Sequence, residues 1–208
     1  MRPFAYDRAE DVATASRLGR DTGQGQTGAS TQFLAGGTTL IDLMKLDVLR
    51  PQHVVDINPL ATRHSAIEAS PDGLRLGALA RMSAAADDAD VRRDYPMIAQ
   101  ALDQAASAQL RNMASLGGNL LQRTRCPYFR DTSIKACNKR TPGSGCAAMG
   151  GVNRNHAVLG VDDSCISQYP GVQRDQGHRQ VAGVLRDAAL VHAQHGVIAV
   201  DPADGRAA

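Results

Sequence analysis

The chain has 208 residues, of which 43% are hydrophobic and 21% charged, and its formal net charge is +2. This composition excludes a chain that is disordered throughout. The small net charge argues against a protein that binds mainly by neutralising phosphates. An aromatic content of 3% without tryptophan disfavours a base-stacking surface. We therefore expect a globular protein with no nucleic-acid partner.

No stretch approaches the roughly 18 consecutive apolar residues that a membrane-spanning helix needs. Residues 1–7 lack the apolar core of a signal peptide. We expect a protein that is made in the cytoplasm and is not inserted in a membrane. Export would require a partner that carries a signal.

Short strands and helices alternate in the N-terminal part, as in a small α/β unit. They are predicted as strand 4–6, helix 9–18, strand 33–35, helix 38–46 and strand 54–57. A β-hairpin around Pro71-Asp72-Gly73 follows at 65–79.

Residues 84–114 are rich in Ala, Leu and Met and predict two helices broken near Tyr95-Pro96. Residues 126–151 show no sustained period, and a connection of this length is usually functional or disordered. A further strand is predicted at 156–161.

The chain contains one formal G-x-G-x-x-G, at residues 23–28. A dinucleotide fingerprint follows a strand and opens a helix. This segment follows a predicted helix and precedes the polar residues 29–32, so we interpret it as a flexible loop.

Two Gly-Gly loops have a better context for binding phosphate. Residues 35–40 follow a predicted strand and precede a helix, so their amides can point at an anion, with Thr38 and Thr39 as hydroxyl donors. Residues 114–120 repeat the pattern with Ser115 and Asn119 as donors. Together they could hold one diphosphate from both sides. The alternative is that they are ordinary Gly-Gly turns.

The four cysteines are spaced C-x10-C-x8-C-x18-C, at Cys126, Cys137, Cys146 and Cys165. This spacing lacks the C-x2-C pairs of zinc fingers and ribbons. Zinc, two disulfides and buried spectator thiols stay open as alternatives. The cysteines fall in or just after a Pro/Gly-rich segment without apolar periodicity, which core packing explains poorly.

Charge favours an anionic metal cluster in this segment. Between residues 123 and 140 the sequence contains six cationic residues and a single acidic one, Asp131. The six cations are Arg123, Arg125, Arg130, Lys135, Lys139 and Arg140. Cations stabilise a [4Fe–4S] cluster held by four thiolates, and they oppose a further cation. An RNA-binding basic loop is the competing interpretation, weakened because only Tyr128 and Phe129 could stack on bases.

Segments 34–40 and 110–120 resemble the paired FAD-diphosphate loops of the xanthine dehydrogenase family, in particular its separate FAD-binding subunits. The resemblance implies an α+β, two-subdomain FAD-binding fold of the xanthine dehydrogenase and vanillyl-alcohol-oxidase-like type, with its C-terminal domain missing. It implies a small subdomain at 1–60, a larger one at 61–171 with an iron–sulfur loop at 124–166, and a tail at 172–208. The implied FAD-binding residues are Leu34, Ala35, Gly36, Gly37, Thr38, Thr39, Leu40, Ala114, Ser115, Gly117, Gly118, Asn119 and Leu159.

Segments 124–129, 137–140, 142–148 and 156–160 resemble one branch of that family, the FAD-binding subunits of bacterial periplasmic aldehyde oxidoreductases. The branch carries a [4Fe–4S] cluster, which implies that Cys126, Cys137, Cys146 and Cys165 are its ligands. It also implies partner subunits that carry the molybdenum cofactor and two [2Fe–2S] clusters. This chain would pass their electrons through FAD to an external acceptor, without catalytic residues of its own. Export with a partner would then lead to the periplasm.

The resemblance ends near Gly171. The family continues with an Asp that helps to bind FAD and with an apolar helix, whereas residues 172–179 here match neither. We interpret this as a shifted reading frame and expect residues 172–208 to be poorly packed. His192 and His195 in this tail indicate a solvated helix face rather than a metal pair. A non-functional fragment and a zinc-stabilised binding module without a redox role are the alternative functions.

Overall fold

A computed structural model of the chain describes residues 1–19, 27–70, 73–156, 165–167 and 197–200. The chain divides into two compact units. The first comprises Met1–Leu34, Thr39–Asp56 and Gln122–Asp175, and the second Ala35–Thr38, Ile57–Leu121 and Gln176–Ala208.

A three-stranded parallel sheet forms the centre of the first unit, with the order β1-β3-β2. Its strands are β1 (Ala5–Arg8), β2 (Thr31–Leu34) and β3 (His53–Asp56). They lie within three residues of the predicted positions. Tyr6 and Gln32 both pair with Val54 of the central strand, which is the most buried of the three.

Two helices connect these strands, as the sequence predicts. Helix α1 (Val12–Leu18) begins after Asp11, whose carboxylate accepts a hydrogen bond from the Thr14 amide at 2.7 Å. Helix α2 (Leu40–Lys45) places Leu40, Leu43 and Met44 in the core of this unit.

The second unit contains the predicted hairpin. Strands β4 (Ile67–Ser70) and β5 (Gly73–Gly77) pair antiparallel, with Ile67 opposite Leu76. A further strand, β6 (Val197–Val200), pairs antiparallel with β5. These four residues of the tail are therefore part of a sheet, whereas the rest of 172–208, including His192 and His195, lies outside the described residues.

The prediction of two helices over 84–114 is wrong, because four short helices occupy this region. They are α4 (Met82–Asp87), α5 (Ala89–Asp94), α6 (Pro96–Asp103) and α7 (Ala108–Met113). Asp88 is extended, and its carboxylate accepts hydrogen bonds from the amides of Asp90 and Val91. Ala106 has a φ of 48°. Both features interrupt a helix where the Ala-rich pattern continues.

Three further short helices complete the described part of the second unit, namely a 3-10 turn at Asn58–Leu60, α3 (Ala61–His64) and α8 (Leu116–Leu120). Leu74 and Leu76 of the hairpin pack with Ala85, Val91 and Leu102 in the core of this unit. No helix in the part of the chain that the structure describes is long and apolar enough to cross a membrane.

The cysteine segment, defined as residues 122–156 and 165–167, belongs to the first unit. The sequence-based division placed it with residues 61–171. It contains one helix in its described part, α9 (Pro127–Arg130). Phe129 is fully buried and packs with Leu43 and Val54, which explains this grouping. The predicted strand at 156–161 lies outside the described residues beyond His156.

Candidate functional site

The first glycine loop, defined as residues 35–39, joins β2 to α2. Gly37 has a φ of 72°, in the left-handed region that favours glycine. Within the described ranges, the amides of Gly36, Gly37, Thr38 and Thr39 donate no hydrogen bond to protein. These N–H groups are therefore available to an oxygen-rich ligand.

Two further residues predicted to bind the cofactor act as anchors of this loop. Leu40 belongs to the buried core of the first unit, and Leu34 packs against that core. Their apolar side chains hold the ends of the segment while the residues between them present backbone groups.

The second glycine loop, defined as residues 114–119, uses its amides differently. The Leu116 amide donates to the Ala80 carbonyl at 2.9 Å and the Gly117 amide to the Ala78 carbonyl at 2.8 Å. A Cβ at Gly117 would lie 3.0 Å from that same Ala78 oxygen. Glycine is needed here for close packing against the protein itself. Two amides of the second loop are thus used within the protein, and the role of Ser115 and Asn119 as donors to a diphosphate stays a prediction.

Ser115 gives the second glycine loop its polar centre. It is 2% exposed, and its hydroxyl oxygen accepts a hydrogen bond from the Gly118 amide at 3.1 Å, which caps helix α8. The neighbouring Ala114 is buried, and the Asn119 amide donates to the Ser115 carbonyl. The hydroxyl hydrogen of Ser115 is the part of this cap that can still be donated to another group.

The two loops meet directly. A Cβ on Gly36 would lie 1.9 Å from the carbonyl oxygen of Met113, the residue before the second glycine loop. Any side chain at this position would force the loops apart. The structure thus brings together the two segments that the sequence predicted to flank one ligand. Leu159, the remaining predicted cofactor residue, lies outside the described residues.

These loops fit the diphosphate of FAD in their chemistry. A diphosphate offers oxygen acceptors only, and the first loop supplies backbone donors beside glycines that allow close approach. The second loop adds the Ser115 hydroxyl as a further donor.

In the cysteine segment, Cys137 lies directly opposite Cys146 in an antiparallel bridge. The Asn138 amide donates to the Gly145 carbonyl at 2.8 Å beside this pair. A tight turn that contains Gly143 and Gly145, both with positive φ, joins the two residues. The Pro-Gly-Ser-Gly run between these cysteines could have predicted this hairpin-like turn.

Cys126 and Cys165 are connected through two hydroxyl groups. Thr124 and Ser167, both buried, share a hydrogen bond. The Cys126 amide donates to the Thr124 hydroxyl at 3.1 Å, and the Ser167 amide donates to the Cys165 sulfur at 3.4 Å. The sequence offers no motif for this connection.

Burial raises the pKa of the Cys126 and Cys165 thiols. Negative charge on Cys137 would add to this effect at both thiols. His156 Nε2 lies 3.2 Å from the Cys126 sulfur. None of the four cysteines, all of which lie among the described residues, forms a disulfide.

The donors of the cysteine segment match a [4Fe–4S] cluster in type, because thiolates with N–H donors on their sulfurs are its usual ligands. Their arrangement does not form a metal centre. In the parts of the chain that the structure describes, no group of three or more His, Cys, Asp or Glu side chains is arranged to hold a metal ion.

Two of the six cations between residues 123 and 140 have structural roles that the sequence did not indicate. Arg130 pairs with Asp42 at 2.7 Å. Arg140 donates hydrogen bonds to four backbone carbonyls, those of Tyr128, Phe129, Asp131 and Ile134. These two arginines stabilise the cysteine segment itself. Part of its basic charge therefore has a structural role that does not involve a cluster.

Comparison with known proteins identifies the fold. A family model described as "FAD binding domain in molybdopterin dehydrogenase" matches residues 2–163. The aldehyde oxidoreductase FAD-binding subunit PaoB of Escherichia coli (strain K12) is 48% identical over 170 residues, which cover 82% of this chain and 51% of that protein. The glyceraldehyde dehydrogenase medium chain of Sulfolobus acidocaldarius is 33% identical over 55% of this chain and 38% of its own length.

Among solved structures, a carbon monoxide dehydrogenase from Hydrogenophaga pseudoflava matches with a TM-score of 0.51 and 28% identity, over 57% of this chain and 39% of that one. The expected fold class is confirmed, and the chain spans about half the length of its aldehyde oxidoreductase relative. The chain belongs to the family of FAD-binding domains of molybdopterin dehydrogenases.

Proposed function

We propose that this chain binds FAD between its two glycine loops and serves as the flavin-binding part of a molybdenum-containing aldehyde oxidoreductase. The observation that carries the proposal is the direct contact of the loops at Gly36 and Met113, beside backbone amides that have no protein acceptor in the described ranges. Family membership supports FAD as the ligand.

The residues of the chain hold the cofactor in place, and FAD itself supplies the redox chemistry. The amides of Gly36 to Thr39 donate hydrogen bonds to diphosphate oxygens. The Ser115 hydroxyl donates from the second loop, and its oxygen keeps the Gly118 amide in place. Leu34 and Leu40 keep the ends of the first loop in the apolar core. Aldehyde oxidation itself takes place on another subunit.

The first experiment is to purify the full chain and record its visible absorption spectrum. Flavin bands at about one FAD per chain would support the proposal. A chain without flavin that also takes up none on incubation with FAD would contradict it, and would favour a non-functional fragment.

The partners in this proposal are a molybdenum-cofactor subunit and a [2Fe–2S] subunit, which deliver electrons to FAD. The support is the identity of 48% to an aldehyde oxidoreductase subunit. Co-expression with candidate partners tests it, because a stable complex should carry the flavin-containing chain through affinity purification. Recovery of that complex from the periplasmic fraction would support co-export, whereas recovery only from the cytoplasm would contradict it.

We further propose that the four cysteines hold a [4Fe–4S] cluster. Support comes from the Ser167 amide that donates to the Cys165 sulfur, and from the pairing of Cys137 with Cys146. The described thiols do not form a metal centre. The four sulfurs would therefore move closer together as the cluster assembles.

Anaerobic purification with iron, sulfide and zinc analysis tests the cluster. About four irons per chain, lost in Cys137→Ser, would support it. Iron that is retained in Cys137→Ser would contradict this ligand assignment. Zinc without iron and without flavin would instead indicate a zinc-stabilised module with no redox role.

A further inference from the structure

Arg81 precedes helix α4 and is half-buried, with an extended backbone. Its guanidinium donates two hydrogen bonds in different directions. Nη1 donates to the Met113 carbonyl at 2.5 Å and Nη2 to the Asn58 side-chain oxygen at 2.9 Å. One side chain thus links two points that are 23 and 32 residues away in sequence.

Asn58 extends this connection to the first glycine loop. Its side-chain nitrogen donates to the Ala35 carbonyl at 2.9 Å. The chain of hydrogen bonds therefore runs from Met113, before the second glycine loop, through Arg81 and Asn58 to Ala35 in the first. We define these four residues as the loop relay.

The loop relay includes the residue at which the two glycine loops are in contact. The Met113 carbonyl that accepts from Arg81 is the group that lies against Gly36. This carbonyl therefore accepts a hydrogen bond from the guanidinium and also lies close to a residue without a side chain. The same oxygen thus takes part both in the contact between the loops and in the hydrogen bond from Arg81.

The backbone of Arg81 is attached to the second glycine loop independently of its side chain. The Met82 amide donates to the Ala114 carbonyl at 3.0 Å, and the Leu116 amide donates to the Ala80 carbonyl at 2.9 Å. Shortening the Arg81 side chain leaves these bonds in place. It removes only the side-chain connection to Met113 and Asn58.

We propose that Arg81 and Asn58 are positioning residues that hold the first glycine loop at the spacing required for FAD. This inference rests on the proposed function of the loops. The planar guanidinium can donate to a carbonyl and an amide oxygen at once, whereas a lysine ammonium on a flexible stem does not fix two partners in this geometry. Asn58 must both accept and donate, which its amide allows.

The test uses the full chain with the variants Arg81→Lys, Asn58→Ala and the double variant. FAD binding is expected to weaken about tenfold or more in each single variant. The double variant is expected to bind no more weakly than Arg81→Lys, because both residues belong to one chain of hydrogen bonds. Riboflavin, which lacks the diphosphate, should bind all variants as it binds the unmodified chain.

Arg75→Ala is the matched control. Arg75 is exposed and pairs with Glu68 across the hairpin, away from the relay residues in the hydrogen-bond network. This variant should bind FAD with unchanged affinity. Equal urea midpoints for Arg81→Lys and Arg75→Ala would separate positioning from a loss of folding.

A second readout does not need the cofactor. Amide ¹H–¹⁵N resonances of residues 36–39 should shift or broaden in Arg81→Lys and Asn58→Ala, while those of 116–119 keep their positions. If the unmodified chain binds no FAD, the proposed function and the positioning role fail together, and these resonances alone then decide whether the relay exists. If the chain binds FAD and both single variants bind it equally well, or if their losses add, the relay is contradicted and the FAD proposal stands.

Discussion

The glycine loops and the cysteine segment both carry motifs that predict a bound cofactor. The structure arranges their donor groups for binding to different degrees. In the first glycine loop, donors for a diphosphate are present without any competing acceptor in the described ranges. In the cysteine segment, partial burial raises the pKa of two thiols, Cys126 and Cys165, and no described group forms a metal centre. Backbone amides can donate hydrogen bonds to water before a ligand binds. Four thiolates, in contrast, repel one another until the iron ions of a cluster compensate their charge.

The largest predicted effect lies in the packing of the cysteine segment. Phe129→Ala removes a fully buried ring between Leu43 and Val54, and we expect a loss of about 3–5 kcal/mol in the free energy of unfolding. Urea unfolding measures it, with Leu121→Ala as control because Leu121 is 74% exposed. A loss below about 1 kcal/mol in Phe129→Ala would show that this segment is not anchored there.

Gly36→Ala tests the contact between the glycine loops. The new Cβ would lie 1.9 Å from the Met113 carbonyl, so we expect FAD binding to be lost and the free energy of unfolding to fall by about 1–3 kcal/mol. Gly150→Ala is the matched control, since a Cβ there meets no atom within 4 Å. Normal FAD binding by Gly36→Ala would contradict the close approach of the loops.

Ser115→Ala separates capping from ligand binding. Its loss should destabilise helix α8 by about 1 kcal/mol. Ser107→Ala removes an equivalent cap, that of α7, where the Ser107 hydroxyl accepts from the Leu110 amide at 3.3 Å. Both variants should unfold at similar urea concentrations, but only Ser115→Ala should bind FAD more weakly. Equal affinities in the two variants would remove Ser115 from the proposed site.

The smallest predicted effect is the pH dependence of thiol alkylation. Because burial raises the pKa of Cys126 and Cys165 above the ordinary value of 9.0, both should react slowly with iodoacetamide near neutral pH and faster as the pH passes their raised values. A thiol pKa that is higher in the folded chain also means that stability falls as pH rises through that value. Mass spectrometry of the alkylated peptides measures the rates. Rapid modification of these two half-buried thiols at pH 7 would contradict their raised pKa.

Short sequence motifs predicted the elements whose conformation depends on residues that are adjacent in the chain. The Pro71-Asp72-Gly73 turn predicted the hairpin, and the Gly-Gly pairs predicted two loops that the structure brings into contact. The pattern over 84–114 failed because the extended backbone at Asp88 and the left-handed Ala106 are single-residue events within an Ala-rich stretch. Periodicity averages over such events.

The parts of the candidate site that the sequence did not predict are formed by residues that lie far apart in the chain. Arg81, Asn58 and Met113 are joined by hydrogen bonds between positions far apart in the chain, and no spacing rule relates them. The Thr124–Ser167 bond is of the same kind. The different use of the amides in the two glycine loops is also of this kind, because both sequences contain Gly-Gly. In the described ranges, the Ala80 and Ala78 carbonyls accept hydrogen bonds from the second loop, whereas the amides of residues 36–39 have no protein acceptor.

Isothermal titration of the flavin-free full chain with FAD tests the central claim most directly. We predict saturable binding of about one FAD per chain, with riboflavin binding far more weakly because it lacks the diphosphate that the loops contact. Equal affinities for FAD and riboflavin, or no heat of binding with either, would contradict a diphosphate site at the glycine loops.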